Sequence, residues 1–188
     1  MVRSILWNGR KHYGTSTSRL RHDYALSQGR ISFSSRTDRI DQAAAERINR
    51  RSDLRKGDVL FTSIEPVGIT YLLWETPRNW NINESVFTFR AKTEFVSSEF
   101  LFMLLSSNVL KGFCKNSSTG SIHKGIRHEA LKSYNFPRPH QNTMDVFTKL
   151  VSPMLQQQFL LEEQNRELAN LSDWLLPMLM NGQVTLGD

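Results

Sequence analysis

A chain of 188 residues holds one domain of ordinary size plus an appendage. Its 39% hydrophobic and 22% charged residues exclude a disordered chain, and its longest apolar run, Phe100–Leu105, is far below the roughly 20 residues needed to span a bilayer. The net charge of +6 is unevenly spread, with 13 Lys/Arg against 6 Asp/Glu in residues 1–58, 9 against 6 in 59–140 and 2 against 6 in 141–188, so a basic body precedes an acidic tail. That is the footprint of a part that meets a polyanion joined to a part that meets protein.

Along the chain, Arg3 is followed by Trp7-Asn8-Gly9-Arg10-Lys11, which interrupts any apolar signal core. Secretion has no support there, and the cytoplasm is the expected compartment. Asp41 to Arg51 is predicted to be helical, with three alanines in a row and Asp41 as the N-cap. Ser52-Asp53 ends it. Leu54 to Asp58 is a turn that uses a positive φ at Gly57, and Val59 to Thr62 is a strand. A second strand pair is expected from Ile69–Leu73 and Ser85–Arg90, the latter alternating Val86, Thr88 and Arg90 with Phe87 and Phe89.

Ser98 is expected to cap a helix from Glu99 to about Phe113, with Phe100, Met103, Leu104 and Val109 on its apolar face. Lys115–Gly120 reads as loop, residues 127–133 as a short helix, and Tyr134 to His140 as extended, because X-Pro steps disfavour helix. From about Met144 to Met180 the period changes. Phe147, Leu150, Met154, Gln157, Leu161, Gln164, Leu168, Leu171, Leu175 and Met178 stand three and four residues apart in alternation, and all but the two glutamines are apolar. That is a coiled-coil seam sustained over several heptads, with Pro153 at an early helix position and Pro177 expected to kink or end the last turns before Asn181-Gly182. A helix this long needs another helix to cover it. The fold class is therefore α+β: residues 1–143 form a mixed domain with a small sheet, 144–182 a long helix and 183–188 a tail.

The chemistry expected of enzymes that act on DNA is missing. Asn135-Phe-Pro-Arg-Pro has the wrong order for an amino-methyltransferase site, and no glycine-rich nucleotide cradle occurs. Asp58 and Glu65 flank a strand without the carboxylate and lysine companions a Mg²⁺ nuclease uses. His123 and His128 are five apart, unsuited to one helical face, and the single Cys114 reads as a small buried hydrophobe. No catalytic, metal or cofactor site is expected.

Leu54-Arg-Lys-Gly-Asp-Val-Leu-Phe-Thr through Gly68-Ile69 resembles the strand and turn of target-recognition domains in type I restriction-modification specificity subunits. Ser118-Thr-Gly-Ser-Ile-His-Lys-Gly-Ile126 resembles a loop of that family, and Leu161-Glu-Glu-Gln through Leu175-Leu-Pro-Met-Leu-Met-Asn-Gly resembles its spacer helix and ending. The order and spacing of these segments across about residues 30–186 carry the likeness. The family's usual subunit holds two recognition domains and two helices, so this chain looks like half a subunit, naturally encoded or a fragment. The resemblance implies double-stranded DNA, modification subunits carrying the S-adenosylmethionine chemistry, and restriction subunits as partners, with no cofactor on this chain.

The candidate DNA-binding residues are Arg36, Arg39, Ser63, Asn116, Gly120, Ser121, His123, Lys124 and Arg127, polar or glycine positions of the basic part. The candidate helix-pairing residues are Phe147, Leu150, Met154, Leu161, Leu168, Leu171, Leu175 and Met178. They predict a homodimer whose helices run antiparallel by the family's domain separation, although a parallel pair would let Gln157 and Gln164 meet their own copies. Two other readings stay open: a coiled-coil repressor independent of any methyltransferase, and a nuclease with a degenerate motif.

Overall fold

The computed structural model describes residues 2–4, 20–22, 25–27, 30–32, 38–40, 42–64, 66–77, 80–82, 85–118 and 125–182. The chain divides into two compact units, Met1–Thr148 and Lys149–Asp188. In chain order the first holds β1 (Val2–Ser4), β2 (Leu20–His22), β3 (Ala25–Ser27), β4 (Arg30–Ser32), β5 (Asp38–Ile40), α1 (Gln42–Ser52), β6 (Asp58–Thr62), β7 (Thr70–Leu72), β8 (Val86–Arg90), α2 (Ser98–Ser106), α3 (Asn108–Ser117) and α4 (His128–Lys132). The long helix α5 (Gln141–Met180) begins in the first unit and supplies nearly all the described residues of the second. The α+β class expected from the sequence is the one observed.

β6 is the centre of the fold because its residues are apolar on both faces. Val59, Leu60 and Phe61 are all 0% exposed. Such a strand must be paired on both edges and covered on both sides, and the four-stranded antiparallel sheet β1-β8-β6-β7 provides that. Successive side chains alternate across the sheet. Leu60 joins Leu54, Leu73, Ile82 and Val86 in a cluster against which Ile31 and Trp80 also pack. The Phe61 ring meets Phe89 edge to face at 5.9 Å. α2 packs against β6 and β7, and the Thr70 and Ser106 hydroxyls, 2.6 Å apart, tie β7 to it.

The structure corrects the sequence reading at several points. Ile69–Leu73 and Ser85–Arg90 do supply strands, but these flank β6 and do not pair with each other. Val86, Phe87, Thr88 and Phe89 are all buried, so the alternation seen there is not a wet face and a dry one. The single helix expected from Glu99 to Phe113 is two. Its N-cap is Ser97, whose hydroxyl accepts from the Phe100 N–H at 3.2 Å. Ser107 then takes extended backbone, and its hydroxyl accepts from the Leu110 N–H at 3.2 Å, starting α3. A serine that caps a new helix offers the backbone an alternative to continuing the old one. The break re-phases the apolar face: Leu105, Leu110 and Cys114 are buried, while Met103 and Val109 are exposed. α3 also runs on to Ser117, through residues expected to be loop.

Gly57 takes the expected positive φ, +86°. The first turns of α5 belong to the first unit, where Met144 is buried, Phe147 meets Phe100 edge-on at 5.7 Å, and the Thr148 hydroxyl donates to Ser97 Oγ at 2.9 Å. Pro153 lies well inside α5, not near its start, and the helix passes Pro177 to end at Met180 before Asn181-Gly182.

Candidate nucleic-acid interface

Three separate stretches of chain are stitched together at the end of β6. The Thr62 hydroxyl donates to the Pro66 carbonyl at 2.6 Å and accepts from the Ile69 N–H at 2.9 Å, while the Gly68 N–H donates to the Thr62 carbonyl at 3.0 Å. These bonds close the β6–β7 connection. Ser63 then reaches across to the residue before β8: its N–H and its hydroxyl both donate to the Ser85 carbonyl, at 2.8 and 2.9 Å. The third stretch arrives after α3. The Ile126 N–H donates to the Ser63 carbonyl at 2.8 Å, and Ile64 and Gly125 form an isolated antiparallel bridge. A Cβ at position 125 would stand 3.0 Å from the Ser63 carbonyl oxygen, so a larger residue there would require the junction to give by a few tenths of an ångström.

Ser63 and the end of the Gly/Ser/Lys-rich loop, far apart in sequence, are thereby brought together. Ser63 is buried and its hydroxyl is engaged, so its visible part is to hold the loop's end. Arg127 is exposed and sits at the N-cap of α4; Asn116 is exposed near the end of α3. Arg36, Gly120, Ser121, His123 and Lys124 lie outside the described residues, as do Asp41 and Glu65. Arg39 lies on β5 opposite Arg21 of β2, in a pairing that runs from Leu20 against Ile40 to His22 against Asp38. β3 and β4 pair inside that hairpin, Ala25 against Ser32, which makes two nested antiparallel ribbons.

Two lysines escaped the sequence reading. Lys111 and Lys115 are exposed on α3, one helical turn apart, and the Lys111 Cγ lies 3.5 Å from where a Gly68 Cβ would stand. Lys111 therefore stands beside the β6–β7 connection, with Lys115 one turn further along α3 and Asn116 next to it in the chain. The i,i+4 spacing was present in the sequence. A helix that ends near Phe113 leaves Lys115 outside it, whereas α3 runs on to Ser117.

The carboxylates of this region have structural duties. Asp58 is 1% exposed, and its two oxygens accept from Arg90 Nε and Nη2, each at 2.7 Å, and from the Arg55 N–H at 2.9 Å. The bidentate hydrogen bonds to Asp58 raise the Arg90 pKa further. Asp53, held by hydrogen bonds from Arg55 and then Arg90, has its carboxyl below the usual range. No group of three or more metal-ligating side chains occurs among the described residues. The His128 ring meets Phe87 edge-on at 5.6 Å. Burial pushes the Cys114 thiol up to about 11, which removes its nucleophilic form at neutral pH.

The helix residues are presented differently. Leu150, Met154, Leu161, Leu168 and Leu171 are exposed, and Leu175 and Met178 are half-buried. Among the described residues, no helix is long and apolar enough to cross a membrane.

The sequence model of the family described as Type I restriction modification DNA specificity domain matches residues 49–169 of this chain. That match runs from α1 through the junctions at the end of β6 and into α5. No curated protein matches the chain. Among solved structures, the fold is similar to that of the type I restriction-modification system S subunit from M. genitalium, with a TM-score of 0.58 at 14% identity. The likeness covers 95% of this chain and 42% of that one, so this chain spans less than half the length of the structure it resembles.

Proposed function

Because the chain belongs to the family of type I restriction-modification DNA specificity domains, we propose that it is the sequence-recognition component of such a complex, without catalytic chemistry of its own. The observation that carries this is the family match across residues 49–169, which joins the first unit and the long helix in one recognised segment. Residues 1–140 have a net charge of +10 and bind double-stranded DNA. Lys111, Lys115 and Arg127 take phosphates, while the segments holding Arg36, Arg39, Asn116 and Gly120 to Lys124 reach the grooves. The nested ribbon of β2 to β5 suits the major groove, which admits a two-stranded ribbon.

Residues 1–143 act as the recognition unit and 144–182 as the pairing helix. The exposed seam of α5 joins that of a second copy in an antiparallel dimer, which supplies a second recognition unit and directs the complex to two inverted half-sites. Modification subunits dock on this dimer and bring S-adenosylmethionine; restriction subunits join them, in the cytoplasm where the DNA is.

The test is reconstitution with a type I modification subunit. We expect co-purification, methyl transfer to a bipartite DNA site from labelled S-adenosylmethionine only when both proteins are present, and affinity that falls steeply with salt. DNA binding by a dimer that ignores the modification subunit would identify a repressor instead. Methylation or Mg²⁺-dependent cleavage by the chain alone would overturn the non-catalytic reading.

A further inference from the structure

The recognition unit carries a groove of about 420 Å³ between the end of β8, α2, α3 and the extended segment after α4. Its floor is apolar, with Leu101, Leu104, Leu131 and Phe136 among its lining residues. Cations edge it. Lys92, Lys132 and Arg138 are exposed there, Arg138 lies over the Phe95 ring at 5.4 Å, and no Asp or Glu lines the groove among the described residues. Arg90 also borders it, but its charge is committed to Asp58. An occupant that matches this surface is apolar at its tip and negative beside it.

The same chain presents such an object. The last turns of α5 read Trp174-Leu-Leu-Pro-Met-Leu-Met180, and Trp174, Leu176, Leu179 and Met180 are exposed. A helix that is apolar all round is normally surrounded. A two-helix seam covers only the side bearing Leu175 and Met178, which leaves Trp174, Leu176 and Met180 for a third surface. α5 also has no basic residue in its last turn, so the negative pole of its helix dipole is not neutralised, and Asp173 adds charge just before the apolar end.

The seam register brings the two together. In an antiparallel pair that sets Leu161 opposite Gln164, Leu150 stands opposite Leu175 and Phe147 opposite Met178. Phe147 packs on Phe100, and Phe100 lies 6.2 Å from Phe136 at the groove. One copy's helix end therefore arrives beside the other copy's groove.

We propose that the Trp174–Met180 end of α5 docks in the groove of a second copy's recognition unit, its exposed apolar side chains on the groove floor and its negative end against Lys92, Lys132 and Arg138. The docking rests on the antiparallel dimer proposed above and adds a contact that fixes each recognition unit to the partner's helix. Domain separation in the dimer is then set by two clamps and the seam together.

The test places the photo-crosslinker p-benzoylphenylalanine at position 174 of the full chain, where the native side chain is exposed and folding is not at stake. The expected product is a covalent dimer with the crosslink mapped to groove residues such as Phe95, Leu104 or Leu131. In the combined variant Lys92→Glu, Lys132→Glu, Arg138→Glu, three exposed charges are reversed, and the crosslinked yield should fall roughly tenfold while sedimentation still finds a dimer. A dimer whose crosslinks map only to the partner's α5, or elsewhere, overturns the docking and leaves the dimer reading intact. A monomer in sedimentation overturns both. Crosslinks within one chain, at a yield independent of concentration, show that the occupant is not a second copy.

Discussion

β6 and the second half of α5 are both apolar stretches, yet they meet opposite fates. Val59, Leu60 and Phe61 are wholly enclosed by this chain's own strands and helices, whereas Leu168 is 63% exposed on a helix whose neighbouring seam residues are open as well. The hydrophobic effect acts on both, at about 25 cal/mol per Å² removed from water. The first set realises it on folding, at any concentration. In the proposed dimer the second realises it on association, so the same residue type would contribute to stability in one region and to assembly in the other.

The sharpest way to break this comparison is to substitute in each region and read both unfolding and assembly. Phe61→Ala removes a fully enclosed ring and should lower the unfolding free energy by about 3–5 kcal/mol in urea titration. A loss under 1 kcal/mol would show that β6 is not the centre of the core. Arg90→Met leaves Asp58, 1% exposed, without the partner that fills both its oxygens. The expected cost is about 2–3 kcal/mol, below that of a fully enclosed pair because the guanidinium side chain is 31% exposed.

Cys114 extends the comparison to pH. Its folded pKa is raised from 9.0 to about 11 by burial, so above pH 9 the unfolded chain ionises the thiol while the folded chain does not. Its contribution is therefore complete below pH 9 and is lost progressively as pH rises toward 11. The stability of the parent chain should fall more steeply across that range than that of Cys114→Ala, and parallel slopes would disprove the burial.

Leu168→Asp should leave unfolding of the recognition unit within about 0.5 kcal/mol while converting the dimer to monomer in sedimentation. An unchanged dimer, also in the double variant with Leu161→Asp, would refute the seam. The mildest effect belongs to Lys111→Ala and Lys115→Ala. Each should lower the slope of log K against log salt for DNA by about 0.9 and alter neither stability nor sequence preference. A relaxed preference at one base pair would mean that the lysine reads a base.

Periodicity and turn chemistry made much of this protein legible in its sequence. The 3,4-spaced apolar positions announced α5, and Gly57-Asp58 announced the turn into β6, because each of these signals is local in the chain. The order of the segments around Gly57-Asp58, Ser118–Ile126 and Leu175–Gly182 pointed to the family. What only the tertiary structure decided depends on partners distant in sequence. Strand order follows from β6 needing neighbours on both edges, and the phase of α2 and α3 from a serine that ends one helix by capping the next. Ser63 is turned inward by the Ser85 carbonyl, and Asp58 proves to be a buried ion-pair partner through Arg90, 32 positions away. Such contacts leave no period in the sequence, because their free energy comes from groups that meet only after the chain has folded.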